Sequence, residues 1–202
     1  MGFPSEQDVQ AVLVSRLTNK LCDIEKSGNQ KITLCLGYSV ALLSLIMDHL
    51  EFADEAGRAA ETREAAEQDT RLGGLRRLSE EMKQSSGGRL PGDEGVEWKG
   101  VDACVCQWKL YKYMRNRLAH FSHEDGGFSI KDDVDRLRGF CIVGPWTRGR
   151  AEKWTLVINR RHLTRILKTL SDRYIDALTS DRATEANMSK LDCRVARIET
   201  GA

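Results

Sequence analysis

The sequence predicts a mainly α-helical protein, an up-and-down bundle of four to five helices that carries a small β-hairpin insert. Aromatic residues make up only 6% of the 202 residues and proline occurs three times, a composition that is unusual for a β-sandwich or barrel. Apolar residues recur at helical spacing in four segments. With 41% hydrophobic and 30% charged residues the chain has enough apolar side chains for a core, so we expect a single domain over residues 1–202.

Four core helices are predicted, at residues 5–27, 31–52, 101–121 and 159–178. Ser5 or Asp8 caps the first helix, and Ser27-Gly28-Asn29 ends it. The second helix contains an uncharged run, 32–47, which is shorter than the roughly 20 strongly apolar residues of a membrane span. We therefore expect a core helix there and no contact with a membrane. The last helix begins near Asn159. Its predicted apolar face consists of Leu163, Ile166, Leu167, Leu170, Tyr174 and Leu178.

The segments between these helices are predicted to lie outside the core. Residues 51–97 are rich in Ala, Glu and Arg, with high helix propensity and a poor apolar stripe. They predict a helical arm, broken near Gly73-Gly74, and then a flexible loop at 85–93. Residues 122–158 predict a loop and β-hairpin insert. Its two strands are predicted at 140–143 and 154–158.

Charge is distributed unevenly along the chain, although its net value is only +1. Residues 1–97 carry 11 Lys and Arg against 17 Asp and Glu, a net charge of −6. Residues 107–178 carry 15 against 8, a net charge of +7. The basic half is where a nucleic-acid footprint would be expected, and an ordinary solvated surface with segregated charges is the alternative.

The six cysteines indicate neither a zinc site nor a disulfide framework, since they form no C-x-x-C pair and no His stands at ligand spacing. We expect buried, reduced thiols and a cytoplasmic protein. No signal peptide is visible in residues 2–20, which mix polar and apolar side chains. The sequence predicts no metal and no other cofactor.

The third predicted helix ends in a group of residues with catalytic chemistry. Arg115, Asn116 and His120 combine a fixed cation, an amide and an imidazole, which are the groups that a metal-free ribonuclease needs. Arg115 falls on an apolar stripe, where a charged group needs a partner, a phosphate or a route to solvent. The structural alternative is that Arg115 pairs with an acid while His120 caps the helix end. The predicted stripe consists of Cys104, Trp108, Tyr111 and Leu118.

The stretch Arg115-Asn116-Arg117-Leu118-Ala119-His120 resembles the signature of the HEPN domains, in which Arg and a polar residue precede a His. The resemblance implies a helical bundle that acts as a metal-independent endoribonuclease, as a toxin or antiviral defence effector. It also implies a homodimer in which two motifs share one cleft, with Arg115, Asn116 and His120 as catalytic residues. Some HEPN toxins have a modifiable Tyr two positions after the His. Ser122 stands there in this chain, which puts that route of control in doubt.

In this interpretation the ribose 2′-OH attacks the adjacent phosphodiester, and His120 transfers protons to or from the attacking or leaving oxygen. Arg115 stabilises the charge on the phosphorane oxygens, and Asn116 orients His120 or the phosphate. Ser122 and His123 are possible accessory residues. Trp146 and Trp154 are candidates for base stacking, and packing within the hairpin is the alternative for at least one of them. Asp48, His49 and Glu51 are predicted to be surface residues, and a position facing the same cleft is the alternative. The predicted RNA-binding residues are Arg117, Arg148, Arg150, Lys153, Arg160 and Arg161, together with Arg165.

Two functions therefore remain open. The first is a HEPN-type endoribonuclease that binds RNA, forms a homodimer and is controlled by an antitoxin or regulatory protein. The second is a non-catalytic helical module that binds RNA, a nucleotide or a protein partner.

Overall fold

The structure, a computed structural model, describes the backbone of residues 6–26, 32–59, 63–94, 96–99, 105–120, 128–133, 136–143 and 155–179. In this part of the chain five α-helices account for most residues, so the prediction of a mainly helical protein is confirmed. They are α1 (Glu6–Lys26), α2 (Ile32–Ala59), α3 (Arg63–Gln84), α4 (Gln107–His120) and α5 (Arg160–Leu178).

The centre of the bundle is α2, which contacts each of the other four helices. Several apolar side chains in its middle turns have no exposed surface because they pack against neighbours on more than one side, as at Leu43, Ile46, Met47 and Leu50. By length and composition alone, Leu34–Glu55 would also suffice to cross a membrane. Half of that stretch is buried within the protein, which agrees with the predicted core helix.

The helices α1 and α5 pack against each other, and the sequence predicts them with different success. Asn159 caps α5 by accepting a hydrogen bond from the His162 backbone at 2.8 Å, and all six predicted apolar residues of α5 are buried. On α1 the apolar spacing of the sequence predicts a stripe of Val9, Val12, Leu13, Leu17, Leu21 and Ile24. This stripe is partly wrong, because Val9 and Leu13 are about 40% exposed. The buried face of α1 lies one residue further round the helix and includes Ala11 and Val14.

The segment predicted as a helical arm is a core helix. α3 runs unbroken through Gly73-Gly74 and packs against α2, α4 and α5. Its sparse apolar residues suffice because they fall on one face, where polar Ser79 is buried among them. The buried apolar residues of α3 are Leu72, Leu75, Leu78 and Met82.

The loop at 85–93, predicted to be flexible, is tied to the bundle at several points. The Asp93 carboxylate accepts a hydrogen bond from the Leu90 backbone at 3.1 Å, and both residues are buried. Arg165 on α5 donates to the Gly92 carbonyl at 2.6 Å and also bonds Glu94. The Gly and Pro residues thus shape a turn that rests on α5, so local composition overstated its freedom.

Replacing Gly92 with Ala is expected to destabilise the protein, whereas Gly73→Ala should stabilise it. Gly92 has φ +85°, and an added Cβ would lie 2.8 Å from Oγ1 of Thr169 on α5. Gly73 lies inside α3 with open space around its Cβ position, where Ala gains roughly 0.5–1 kcal/mol. Urea unfolding measures whether each substitution raises or lowers the free energy of unfolding. A Gly92→Ala protein as stable as the unmodified protein would contradict the packing of the loop on α5.

In the described part of the chain four strands form one antiparallel sheet in the order β1-β4-β3-β2. The predicted hairpin insert is therefore corrected: its two strands are neighbours in a wider sheet, and residues 144–154 between them lie outside the described residues. The sequence did not predict the first two strands, since the first has only three residues and the second ends in charged residues. The strands are β1 (Glu97–Lys99), β2 (Phe128–Asp133), β3 (Arg136–Val143) and β4 (Thr155–Ile158).

Candidate functional site

Three acidic residues on α2 form ion pairs with the neighbouring helices α3 and α4. Asp48, Glu51 and Asp54 are three residues apart and so follow one helix face, which we call the acidic row. Asp48 pairs with Arg115 of α4 at 2.5 Å and Glu51 pairs with Lys112 of α4 at 2.8 Å. Because Lys112 precedes Arg115 while Asp48 precedes Glu51, the two helices run antiparallel here. Asp54 pairs with Lys83 of α3 at 2.5 Å.

The Arg115 side chain is held on three sides and is only 16% exposed. Besides Asp48, its Nη1 lies 3.8 Å from a Glu51 oxygen, and its Nε donates to the Asn116 amide oxygen at 3.3 Å. The expected acid partner of Arg115 is therefore present. Asp48 lies on the solvent side, with 66% of its side chain exposed.

The buried face of α4 differs from the predicted stripe. Trp108 is only partly buried, and Cys104 lies outside the described residues. Arg115 follows directly after a buried residue and borders the face rather than lying in its middle. This position explains how the charge tolerates its site, because the guanidinium reaches the acidic row at the edge of the core. The buried residues of α4 are Leu110, Tyr111, Met114 and Leu118.

The rest of the motif occupies the last five residues of α4. Asn116 is exposed, Arg117 is half-buried, and His120 is the last residue of the helix. The helix continues without a break from Arg115 to His120, so Asn116 and His120 share one helix face. The His120 side chain and residues Ser122 and His123 lie outside the described part of the structure.

His49 was predicted to be a surface residue, and this is wrong. Its ring is buried between Phe52 and Tyr174, and its Nδ1 shares a hydrogen bond of 2.5 Å with the Tyr174 hydroxyl of α5. Burial lowers the pKa of His49 from 6.5 to about 4, so the ring is neutral at neutral pH. The contact pins the turn of α2 that carries Asp48 and Glu51 to α5.

Two buried tyrosines give a matched test of this contact. Tyr174→Phe is expected to cost about 1–3 kcal/mol because it leaves a buried imidazole nitrogen without its partner. Tyr111→Phe should be neutral or stabilising, since the Tyr111 hydroxyl is buried and has no hydrogen-bond partner among the described residues. Burial raises the pKa of both phenols, so neither ionises near neutral pH. Equal losses in urea unfolding would show that the His49 contact contributes nothing.

The predicted RNA-binding cations differ in how exposed they are. Arg161 is exposed in the first turn of α5, while Arg160 is half-buried and donates to the Glu25 carbonyl at 3.4 Å. Burial, with Arg165 and Arg161, lowers the pKa of the neighbouring His162. Arg165 holds the loop through Gly92 and Glu94, and 40% of its side chain remains exposed. Outside the described residues lie Arg148, Arg150, Lys153, Trp146 and Trp154.

The ion pairs of the acidic row were not predicted, although the spacing of its three acids is visible in the sequence. Three acids at a spacing of three, where an apolar helix turns polar, predict a charged face that needs cations. Lys112 and Arg115 show the same spacing on α4. The tertiary packing decides that α2 and α4 face each other, so the sequence alone could not pair these acids with these cations.

Within the described ranges no cluster of three or more His, Cys, Asp or Glu side chains could hold a metal ion. In the same part of the chain Cys22, Cys35 and Cys106 are free thiols. Burial raises the pKa of Cys35, so this thiol is not activated. Comparisons with protein-family models, with curated proteins and with solved structures find no match to this chain.

Proposed function

We propose that this protein is a metal-independent endoribonuclease of HEPN type that acts as a toxin or antiviral defence effector in the cytoplasm. One observation carries the proposal: the Arg115-Asn116 pair lies about one turn before the end of an unbroken helix that ends in His120, with the guanidinium oriented by carboxylates of a neighbouring helix. A fixed guanidinium loses less conformational freedom when it binds a phosphate. The mainly helical fold was found independently of the motif, and it agrees with the family resemblance. The up-and-down order of the helices is part of the same proposal.

The chemistry is an internal transfer at phosphorus. The ribose 2′-oxygen forms a bond to the adjacent phosphorus while the bond from phosphorus to the 5′-oxygen breaks, which leaves a 2′,3′-cyclic phosphate and a 5′-hydroxyl. His120 takes the proton of the 2′-hydroxyl or supplies one to the leaving oxygen. Arg115 stabilises the charge on the non-bridging oxygens, and Asn116 orients His120 or the phosphate.

A homodimer completes the site in this proposal. One imidazole serves one end of the proton transfer well, so two protomers that share a cleft supply both the base and the acid. Sedimentation of the active protein at micromolar concentration tests this step. A strict monomer with undiminished activity would eliminate the shared cleft and leave the single-chain site.

RNA is proposed to bind the basic half, where Arg160 and Arg161 lie at the start of α5, with Arg117, Arg148, Arg150 and Lys153 as further contacts. Each phosphate neutralised on a single strand contributes about −0.7 to the slope of log affinity against log salt concentration. A salt-independent affinity would move the RNA footprint elsewhere. An antitoxin or regulatory protein is proposed to control the activity.

A non-catalytic module that binds RNA, a nucleotide or a protein is the second candidate. It is favoured by the ion pair of Arg115 with Asp48, since a structural role for Arg115 would leave the same contacts. One assay separates the two candidates. Purified protein is incubated with total RNA in EDTA at pH 6–8, beside His120→Ala. Cleavage that is lost in the variant supports the ribonuclease, and intact RNA throughout supports the module.

A further inference from the structure

We propose that Arg115 is the phosphate site of a single-stranded RNA ligand, that the Asp48 carboxylate occupies this site in the free protein, and that Phe52 receives the adjacent base. The inference rests on the proposed function for the class of ligand. It assigns two residues, Asp48 and Phe52, that the HEPN-like motif does not contain.

The two acids around Arg115 have different roles. Glu51 is 28% exposed and divides its oxygens between Lys112 at 2.8 Å and Arg115 at 3.8 Å, so it belongs to the permanent helix contact. Asp48 is 66% exposed and lies 2.5 Å from Nη1 of Arg115. Most of the Asp48 side chain is already in contact with solvent, so its carboxylate can leave Arg115 at small cost when another anion takes over the contact.

A phosphodiester is a suitable replacement for the Asp48 carboxylate. Guanidinium groups bind carboxylates and phosphates through the same planar array of N–H donors. Glu51 continues to orient Arg115 after Asp48 leaves, so the site persists. Asp48 therefore acts as a competitor that lowers the affinity of the site for weakly bound anions.

Phe52 gives the site a preference for unpaired bases. It follows Asp48 by four residues on α2, which places the two side chains on one helix face about one turn apart. Its ring packs on His49, with 6.5 Å between ring centroids and 27° between planes, yet the residue is 52% exposed. A large aromatic ring at this exposure, one turn from a phosphate site, can stack a base that is splayed from a single strand.

Binding is measured by fluorescence anisotropy with a labelled 2′-O-methyl RNA oligonucleotide, which lacks the attacking hydroxyl and so stays intact. Asp48→Asn is expected to raise its affinity about three- to tenfold, because a competing negative charge is removed. Asp172→Asn is the control for charge: it removes an exposed carboxylate that pairs with Lys168 at 2.6 Å on α5, away from Arg115, and changes the net charge by the same amount. The gain must disappear when Arg115→Ala is added to Asp48→Asn.

Phe52→Ala is expected to weaken binding at least about fivefold, and Phe52→Leu to recover little of it, because stacking needs the ring. A duplex of the same sequence should bind less tightly than the single strand. Equal effects of Asp48→Asn and Asp172→Asn, a lower affinity of Asp48→Asn, or equal binding of duplex and single strand would overturn the proposal.

The outcomes also separate this inference from the proposed function. If the oligonucleotide binds in the expected pattern but total RNA stays intact, Arg115 is a phosphate site that Asp48 occupies in the free protein, and the ribonuclease proposal is wrong. RNA cleavage that depends on His120, with binding unaffected by Asp48→Asn, would retain the ribonuclease and reject Asp48 as its competitor.

Discussion

Arg115→Ala and His120→Ala are each expected to lower the rate of RNA cleavage by at least about 100-fold, because they remove charge stabilisation and proton transfer respectively. The Arg115 guanidinium lies at the edge of the core and supplies no apolar burial to it. Loss of Arg115 leaves Asp48 exposed to solvent and leaves Glu51 paired with Lys112. Helical content measured by circular dichroism should therefore change little in Arg115→Ala.

Arg115→Lys and Arg77→Ala are the controls for this prediction. Arg115→Lys keeps the charge but removes the planar fork, so it should recover only a small part of the activity. Arg77 is an exposed arginine on α3, and Arg77→Ala should cleave RNA at the rate of the unmodified protein. Full activity of His120→Ala would show that the proposed site is not the catalytic one.

Leu75→Ala is expected to lower the free energy of unfolding by about 2–5 kcal/mol, the usual cost of a cavity at a fully buried leucine. Leu75 lies in the middle of α3 with no exposed surface and belongs to the hydrophobic core. Urea unfolding measures the change. In a projecting arm the same substitution would cost less than about 0.5 kcal/mol.

Glu80→Ala is the matched control on α3, because Glu80 is exposed on the opposite side of the same helix. It should change stability by no more than about 0.5 kcal/mol. A loss for Leu75→Ala as small as that of Glu80→Ala would restore the arm interpretation.

The sequence by itself determined the helical class and the whole of α5. An Asn cap and an apolar face at regular spacing are local signals, and each is read from neighbouring residues along the chain. The α4 motif was also a local matter, since a continuous helix places Asn116 and His120 on one face wherever it packs. These elements were predictable because their physical cause lies within one or two helical turns.

The tertiary structure alone decided the place of α3, the role of the 85–93 loop and the partners of Arg115. α3 has few apolar residues, and its helix enters the core because α2, α4 and α5 leave a surface to cover. The loop is ordered by Arg165, which is more than 70 residues away in sequence. Arg115 and Asp48 are 67 residues apart, and His49 and Tyr174 are 125 apart. Contacts over such separations depend on how helices pack, which no periodicity within a single segment encodes.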